Sequence, residues 1–222
     1  MKRSVQIHMK RFTRDTEGAT IIELAIIVPI LLLLVLGIFE FGRLGYHETV
    51  GHKATDLAAR TAAVRPSACD GVGGQIVLPE VYNPPQNSAP RFGTLCRVPS
   101  NGGATCAPVA TQSCNLQDAL AVNNATAQEI WRTVAPLLPG AATPRNVEIS
   151  YTFDDQLGFL GGPYTPIVTA EIVDLRFQFI TPLGALAALA GADGNNQIAN
   201  SIPFPSMSAS LPAEDLGQGL GG

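Results

Sequence analysis

The sequence predicts an α+β protein: an N-terminal membrane-spanning helix that continues outward as a spine into a head with a small antiparallel sheet. Three observations predict it. Ala19–Phe39 is a 21-residue apolar run behind a basic leader. Residues 43–64 keep helical spacing after the apolar run stops. Asn146–Phe153 and Ile167–Ile180 alternate apolar and polar side chains with the period of a half-buried strand.

The span comes first. As a helix, 21 residues measure ~31 Å, the thickness of a bilayer's hydrocarbon core. Leu24–Phe39 carries no charge. The run is longer than the ~7–15 apolar residues of a secretory signal peptide, and no A-x-A cleavage site follows it. It therefore reads as a retained anchor. Pro29 breaks a soluble helix but is tolerated in a spanning one. Residues 1–18 hold five basic residues against Asp15 and Glu17, whereas the remainder holds nine basic and sixteen acidic residues. A basic head before an apolar run keeps the N-terminus cytoplasmic and exports the rest. The acidic remainder argues against nucleic acid as a partner, since phosphate recognition needs clustered Lys and Arg.

Glu23 is the anomaly. An acid at mid-span costs ~2.5–3.5 kcal/mol on insertion scales, and less near an interface, where Glu23 falls. It either reaches the headgroups or is protonated, or it awaits a cationic partner; position alone leaves both open.

Beyond the membrane, Val50, Ala54, Leu57, Thr61 and Val64 form one stripe, with His52, Lys53, Asp56 and Arg60 opposite. Pro66 ends that helix. Residues 66–114 are rich in Gly, Pro, Asn and Ser, with one candidate short strand at Gln75–Leu78. All four cysteines (Cys69, Cys96, Cys106, Cys114) lie on the exported side, in no C-x-x-C pair and far from the three histidines. An even, clustered set there favours disulfides over zinc. Cys96 and Cys106 flank a hairpin-like loop with an Asn-Gly-Gly turn. The expected pairing is Cys96–Cys106 and Cys69–Cys114, one of three connectivities.

Residues 116–138 read as one helix with Leu116, Leu120, Ile130, Val134 and Leu137 on its apolar face and Trp131 as an anchor, stopped by Pro136 and Pro139-Gly140. The two alternating segments form an antiparallel pair. Val147, Ile149, Tyr151 and Phe153 share one side of the first. Val168, Ala170, Ile172, then Leu175, Phe177 and Phe179 mark the second, with a phase slip at Val173-Asp174 that suggests a bulge. Leu183–Ala190 reads as a short apolar helix, and Ser206–Leu211 as a last strand. The expected organisation is a leader at 1–18, a span at 19–42, a spine at 43–65, a disulfide-stapled head at 66–216 and a flexible tail at 217–222.

Enzymatic signals are missing. No G-x-S-x-G, P-loop, H-E-x-x-H or Rossmann fingerprint is present, and no histidine follows His52. His47 and His52, five apart, do not share a helix face. Asp154-Asp155 reads as a solvated turn, and Asp193-Gly194-Asn195-Asn196 lacks the spacing of a calcium loop. Asn124-Ala125-Thr126 matches a glycosylation acceptor. The reading is a non-enzymatic protein with no cofactor and no metal.

One pattern is more specific than these. A basic leader ends at Gly18, and A-T-I-I-E places Glu23 fifth after the glycine. This resembles the processing site of type IV pilin-like proteins. The longer pattern resembles the N-terminal signature of TadE-like proteins of the tight-adherence (Flp) pilus machinery. It comprises Gly18-Ala19, Glu23-Leu24-Ala25, Pro29, the leucine run, Gly37, Glu40, Gly42-Arg43 and Ala58-Ala59-Arg60-Thr61-Ala62-Ala63. The C-terminal Ser210, Pro212, Ala213, Glu214, Asp215 and Leu216 echo the same family faintly.

The resemblance implies a pilin-like head on a helical spine, in a single-pass protein of a bacterial inner membrane with a periplasmic head. It implies a prepilin peptidase that cuts between Gly18 and Ala19, and a Glu23 that meets the freed amine of a neighbouring subunit. Major pilins of this class are short and carry Tyr after the glutamate; here Leu24 follows and the head is large. That points to a minor pseudopilin or assembly factor, partnered by other pilins and the inner-membrane assembly platform; the resemblance leaves open whether it is carried in the filament or at its tip. The alternative is an uncleaved bitopic envelope protein whose head binds a ligand or surface directly.

Overall fold

One helix accounts for the N-terminal half of these expectations. In the computed structural model, which describes residues 17–79, 90–98, 105–182, 201–213 and 216, helix α1 runs unbroken from Glu17 to Val64. Pro29 lies inside it without ending it. Most of the leader, the Asn-Gly-Gly turn, the 183–190 helix, the 193–196 turn, Glu214, Asp215 and the 217–222 tail lie outside the described residues.

The chain divides into two units. The first comprises residues 1–44 and 178–202, the second residues 45–177 and 203–222. In the first, the most apolar 18-residue window of α1 has a mean hydropathy of 3.0 and none of it is buried. This is one helix long and apolar enough to span a membrane.

The second unit is built on a four-stranded antiparallel sheet in the order β1-β2-β3-β6. Its strands are β1 (Gln112–Asn115), β2 (Val147–Thr152), β3 (Ile167–Ile172) and β6 (Met207–Pro212). The register sorts side chains into two faces. Cys114, Ile149, Ala170 and Ala209 line up across one face, flanked by the rows Val147–Ile172–Met207 and Tyr151–Val168–Leu211. Ile149, Tyr151, Val168 and Ala170 are wholly buried. The other face carries Ser113, Ser150, Thr169 and Ser210 in one row and Asn115, Glu148, Glu171 and Ser208 in the next. The expected β2–β3 pair is present, and the last strand starts one residue later than expected. The fold class expected from the sequence is the one observed: a long N-terminal helix followed by a head with a small antiparallel sheet.

Several expectations require correction. The second alternating segment is not one bulged strand. Asp174 takes a left-handed φ of 51°, β3 ends at Ile172, and β4 (Arg176–Gln178) pairs with β5 (Ser201–Pro203) in a separate two-stranded sheet. The phase slip marks a change of sheet. Gln75–Leu78 is not a strand; Gln75 makes only an isolated bridge to Pro163.

The 116–138 helix is two helices, α2 (Leu116–Ala121) and α3 (Ala125–Val134), followed by a 3-10 turn at Ala135–Leu137. Asn123 at φ 58° turns the chain, and the Asn124 side chain caps α3 by accepting the Ala127 N–H. The same Asn124 amide donates to Ser67 O, so the glycosylation-like asparagine is a structural cap.

The stripe of α1 is also rotated from its expected place. Gly51, Ala54, Thr55, Ala58, Ala59, Ala62 and Ala63 are buried, whereas Val50, Leu57 and Thr61 are half-buried and Val64 is 61% exposed. Small side chains let the helix axis approach its neighbours closely, which larger β-branched residues at the same positions would prevent. A Cβ on Gly51 would stand 2.6 Å from Met207 Sδ of the sheet's buried face.

Candidate functional site

Three groups of residues on or beside α1 are candidates. The first is the processing and pairing set. Gly18 and Ala19 lie in the first turn of α1. Glu23, four residues after Ala19, falls on the same helix face about 6 Å further along the axis. Its side chain is exposed among Ile21, Ile22, Leu24, Ile26 and Ile27, all more than half exposed. Among the described residues its carboxylate has no hydrogen-bond or ion-pair partner. A carboxylate on an apolar helix face, unmet by any described residue, is chemically suited to a cation.

The second group has its acid at the other end of the apolar run. Glu40 is wholly buried. Its Oε1 accepts the backbone N–H of Ile180 at 2.8 Å and of Thr181 at 2.7 Å. Its Oε2 meets Arg43 Nη1 in an ion pair one helical turn on. Arg43 Nη2 donates to Gln178 O at 3.2 Å. Phe179 packs edge-on against Phe41 with ring centroids 6.4 Å apart. All of these residues belong to the first unit. One buried carboxylate thus satisfies two backbone donors and one guanidinium, which is how a buried charge is tolerated. Glu40 and Arg43 stand in the sequence pattern quoted above, but no role follows from it. Their i, i+3 spacing is a local signal; the donors at 180 and 181 are not.

The third group staples the head. Cys69 bonds Cys114, tying the chain just after α1 to β1, and Cys96 bonds Cys106. This is the pairing expected from the sequence. Around it, Thr126 Oγ1 donates to Pro66 O, and Arg65 pairs with Glu129 at 3.0 Å. The 154–166 loop is held on both sides: Ile76 and Gly161/Gly162 exchange backbone bonds, and Leu160 and Cys96 bond Thr94 and Gly158. Gly158 has φ 77°, and a Cβ there would meet Ile76 and Thr165, so the position requires glycine.

The adjacent acids Asp154 and Asp155 form a turn with Gln156. Asp154 Oδ1 accepts the Gln156 N–H and Asp155 Oδ1 accepts Gln156 Nε2, an Asx-type turn. With Cys106, Pro108, Phe153 and Ile167 these acids line a cleft of about 420 Å³. Among the described residues, no three His, Cys, Asp or Glu side chains converge as a metal site.

Residues 18–63 match the family model of the TadE-like proteins. The matched stretch begins at Gly18 and closes near the end of α1, so it contains Glu23, Glu40, Arg43 and the small-residue face. The match is confined to this N-terminal segment, and the sheet-bearing head lies outside it. No curated protein and no solved structure matches the chain.

Proposed function

We propose that the protein is a minor pseudopilin or assembly factor of a tight-adherence pilus. A prepilin peptidase cuts it between Gly18 and Ala19. The carrying observation is the TadE-like match over residues 18–63, which starts at the glycine before the proposed cut. Cleavage frees the Ala19 amine at nearly the membrane depth of Glu23. Each charge is costly alone in lipid and attractive to the other there. The exposed Glu23 of one subunit, without a partner among the described residues, meets the amine of a neighbour, and the span becomes both anchor and assembly surface. The head, acidic and closed by two disulfides, meets other pilins and the assembly platform on the exported side.

The mass of the membrane-extracted protein tests this reading. A mature N-terminus at Ala19 supports it; a retained leader favours the uncleaved bitopic protein instead. Glu23→Ala should be cleaved normally yet fail in assembly, and normal piliation in that variant would remove the pairing role.

A further inference from the structure

The clasp at Glu40 places a distant piece of chain against the end of the span. From Ala19, Phe39 and Phe41 lie about 30 and 33 Å along the helix, where a ~30 Å hydrocarbon core gives way to headgroups. Ile38, Phe39 and Phe41 are 67%, 60% and 60% exposed there. Phe179 and Ile180 arrive beside them. Along Leu175–Ile180 the alternation puts Leu175 and Phe177 inside and the polar Arg176 and Gln178 outside, so the next outward position should also be polar. It is Ile180, 74% exposed. An apolar side chain that breaks an outward polar pattern beside exposed phenylalanines calls for an apolar surround. The backbone of this turn is prepared for one as well. The Ile180 and Thr181 N–H groups are already satisfied by Glu40, as polar backbone entering lipid must be.

We propose that Phe179 and Ile180 are a second membrane contact. Glu40 clasps them to the far end of α1, and with Ile38, Phe39 and Phe41 they form an apolar collar at the headgroup level of the outer leaflet of the inner membrane. The occupant of this surface is lipid, because the collar is continuous with the unburied apolar face of the span. Aromatic and apolar side chains at this depth fix how far a helix sinks. The proposal rests on α1 crossing the bilayer, and the test separates the two claims.

The full-length chain goes into phosphatidylcholine nanodiscs made with lipids brominated either near the headgroup or near the bilayer centre. Trp131, the one native tryptophan, is replaced by Phe. Leu31→Trp, at mid-depth of α1, reports on the span; Ile180→Trp reports on the collar. The expected result is quenching of Leu31→Trp by deep bromines, and of Ile180→Trp by shallow bromines with a blue-shifted emission. Adding Glu40→Ala should abolish the quenching at 180 and leave that at 31. Glu40→Gln should keep it, since the amide oxygen still accepts both N–H groups. Quenching at 31 with none at 180 overturns the collar and leaves the span. No quenching at 31 overturns the span itself. Quenching at 180 that survives Glu40→Ala overturns the clasp.

Discussion

The Ala68 backbone N–H donates to the Tyr151 hydroxyl across 83 residues of sequence at 2.9 Å, and both residues are buried. The bond joins the chain leaving α1 to the centre of the sheet. Tyr151→Phe removes the acceptor and strands a buried N–H, which should destabilise the head by about 1–3 kcal/mol. Burial also pushes the Tyr151 phenol above its ordinary value of 10.0, against the smaller opposing effect of the Ala68 N–H. The unfolded chain therefore ionises first. The phenol's contribution is fully present below pH 10 and is lost as pH climbs through the raised native value. Thermal unfolding followed between about pH 9 and 11 should show a falling midpoint, less steep in Tyr151→Phe. Tyr164, also raised by burial, leaves a residual slope in that variant.

The rotated face of α1 gives a paired test. Ala58 and Ala59 are at most 1% exposed, so Ala59→Leu forces three extra carbons into a closed contact. It should cost about 1–3 kcal/mol or more. Val64→Ser, at an exposed position, should change stability by no more than ~0.5 kcal/mol. Denaturation of the full chain in detergent, read from Trp131 fluorescence, separates the two. A stripe centred on Val50, Leu57 and Val64 would reverse the order.

That reversal locates what the sequence could and could not say. The span, β2 and β3 were legible because their signals are local: an uncharged run, and a clean period of two. The spine's existence was legible too, but its inward face was not. Valine and leucine weigh more than alanine and glycine in a periodicity reading, whereas close helix packing selects the small residues at 51, 54, 58, 59, 62 and 63. Asn123-Asn124 hides a break, because a left-handed turn and a cap are backbone events inside an otherwise helical pattern. Gln112–Asn115 is too short and polar to announce a strand; it is one by virtue of pairing with β2. Of the candidate site, Glu23 stands out in the sequence as a charge within an apolar run, but the roles expected of Gly18, Ala19 and Glu23 come from the resemblance to TadE-like proteins, not from position alone. Glu40 could not be given its partners, since nothing near it in sequence points to residues 180 and 181.

The two disulfides should differ in worth. Cys69–Cys114 closes a separation of 45 residues and Cys96–Cys106 one of 10. On the chain-entropy account their removal costs about 4 and about 3 kcal/mol respectively. The Cys69→Ala/Cys114→Ala double variant should unfold at lower denaturant than Cys96→Ala/Cys106→Ala. Equal midpoints would mean that the unfolded chain retains structure around one of the loops.

The outer face of the sheet carries a built-in repulsion. Glu148 and Glu171 are direct cross-strand partners in the β2–β3 register, and both are half-buried. Asn115 and Ser208, their neighbours in the same row, bring no positive charge. Like charges set opposite one another weaken a sheet, by about 0.2–1 kcal/mol per pair. Glu171→Gln should therefore stabilise the head by that order at low ionic strength, and Glu171→Lys by more, through an opposite-charge pair. Added salt screens the repulsion, so the advantage of either variant should shrink as ionic strength rises through ~0.1 M, where the Debye length falls to ~10 Å. Urea midpoints for the three proteins at low and high salt check this. A gain in Glu171→Lys that does not respond to salt would place its origin in packing of the lysine stem across the strand, not in charge.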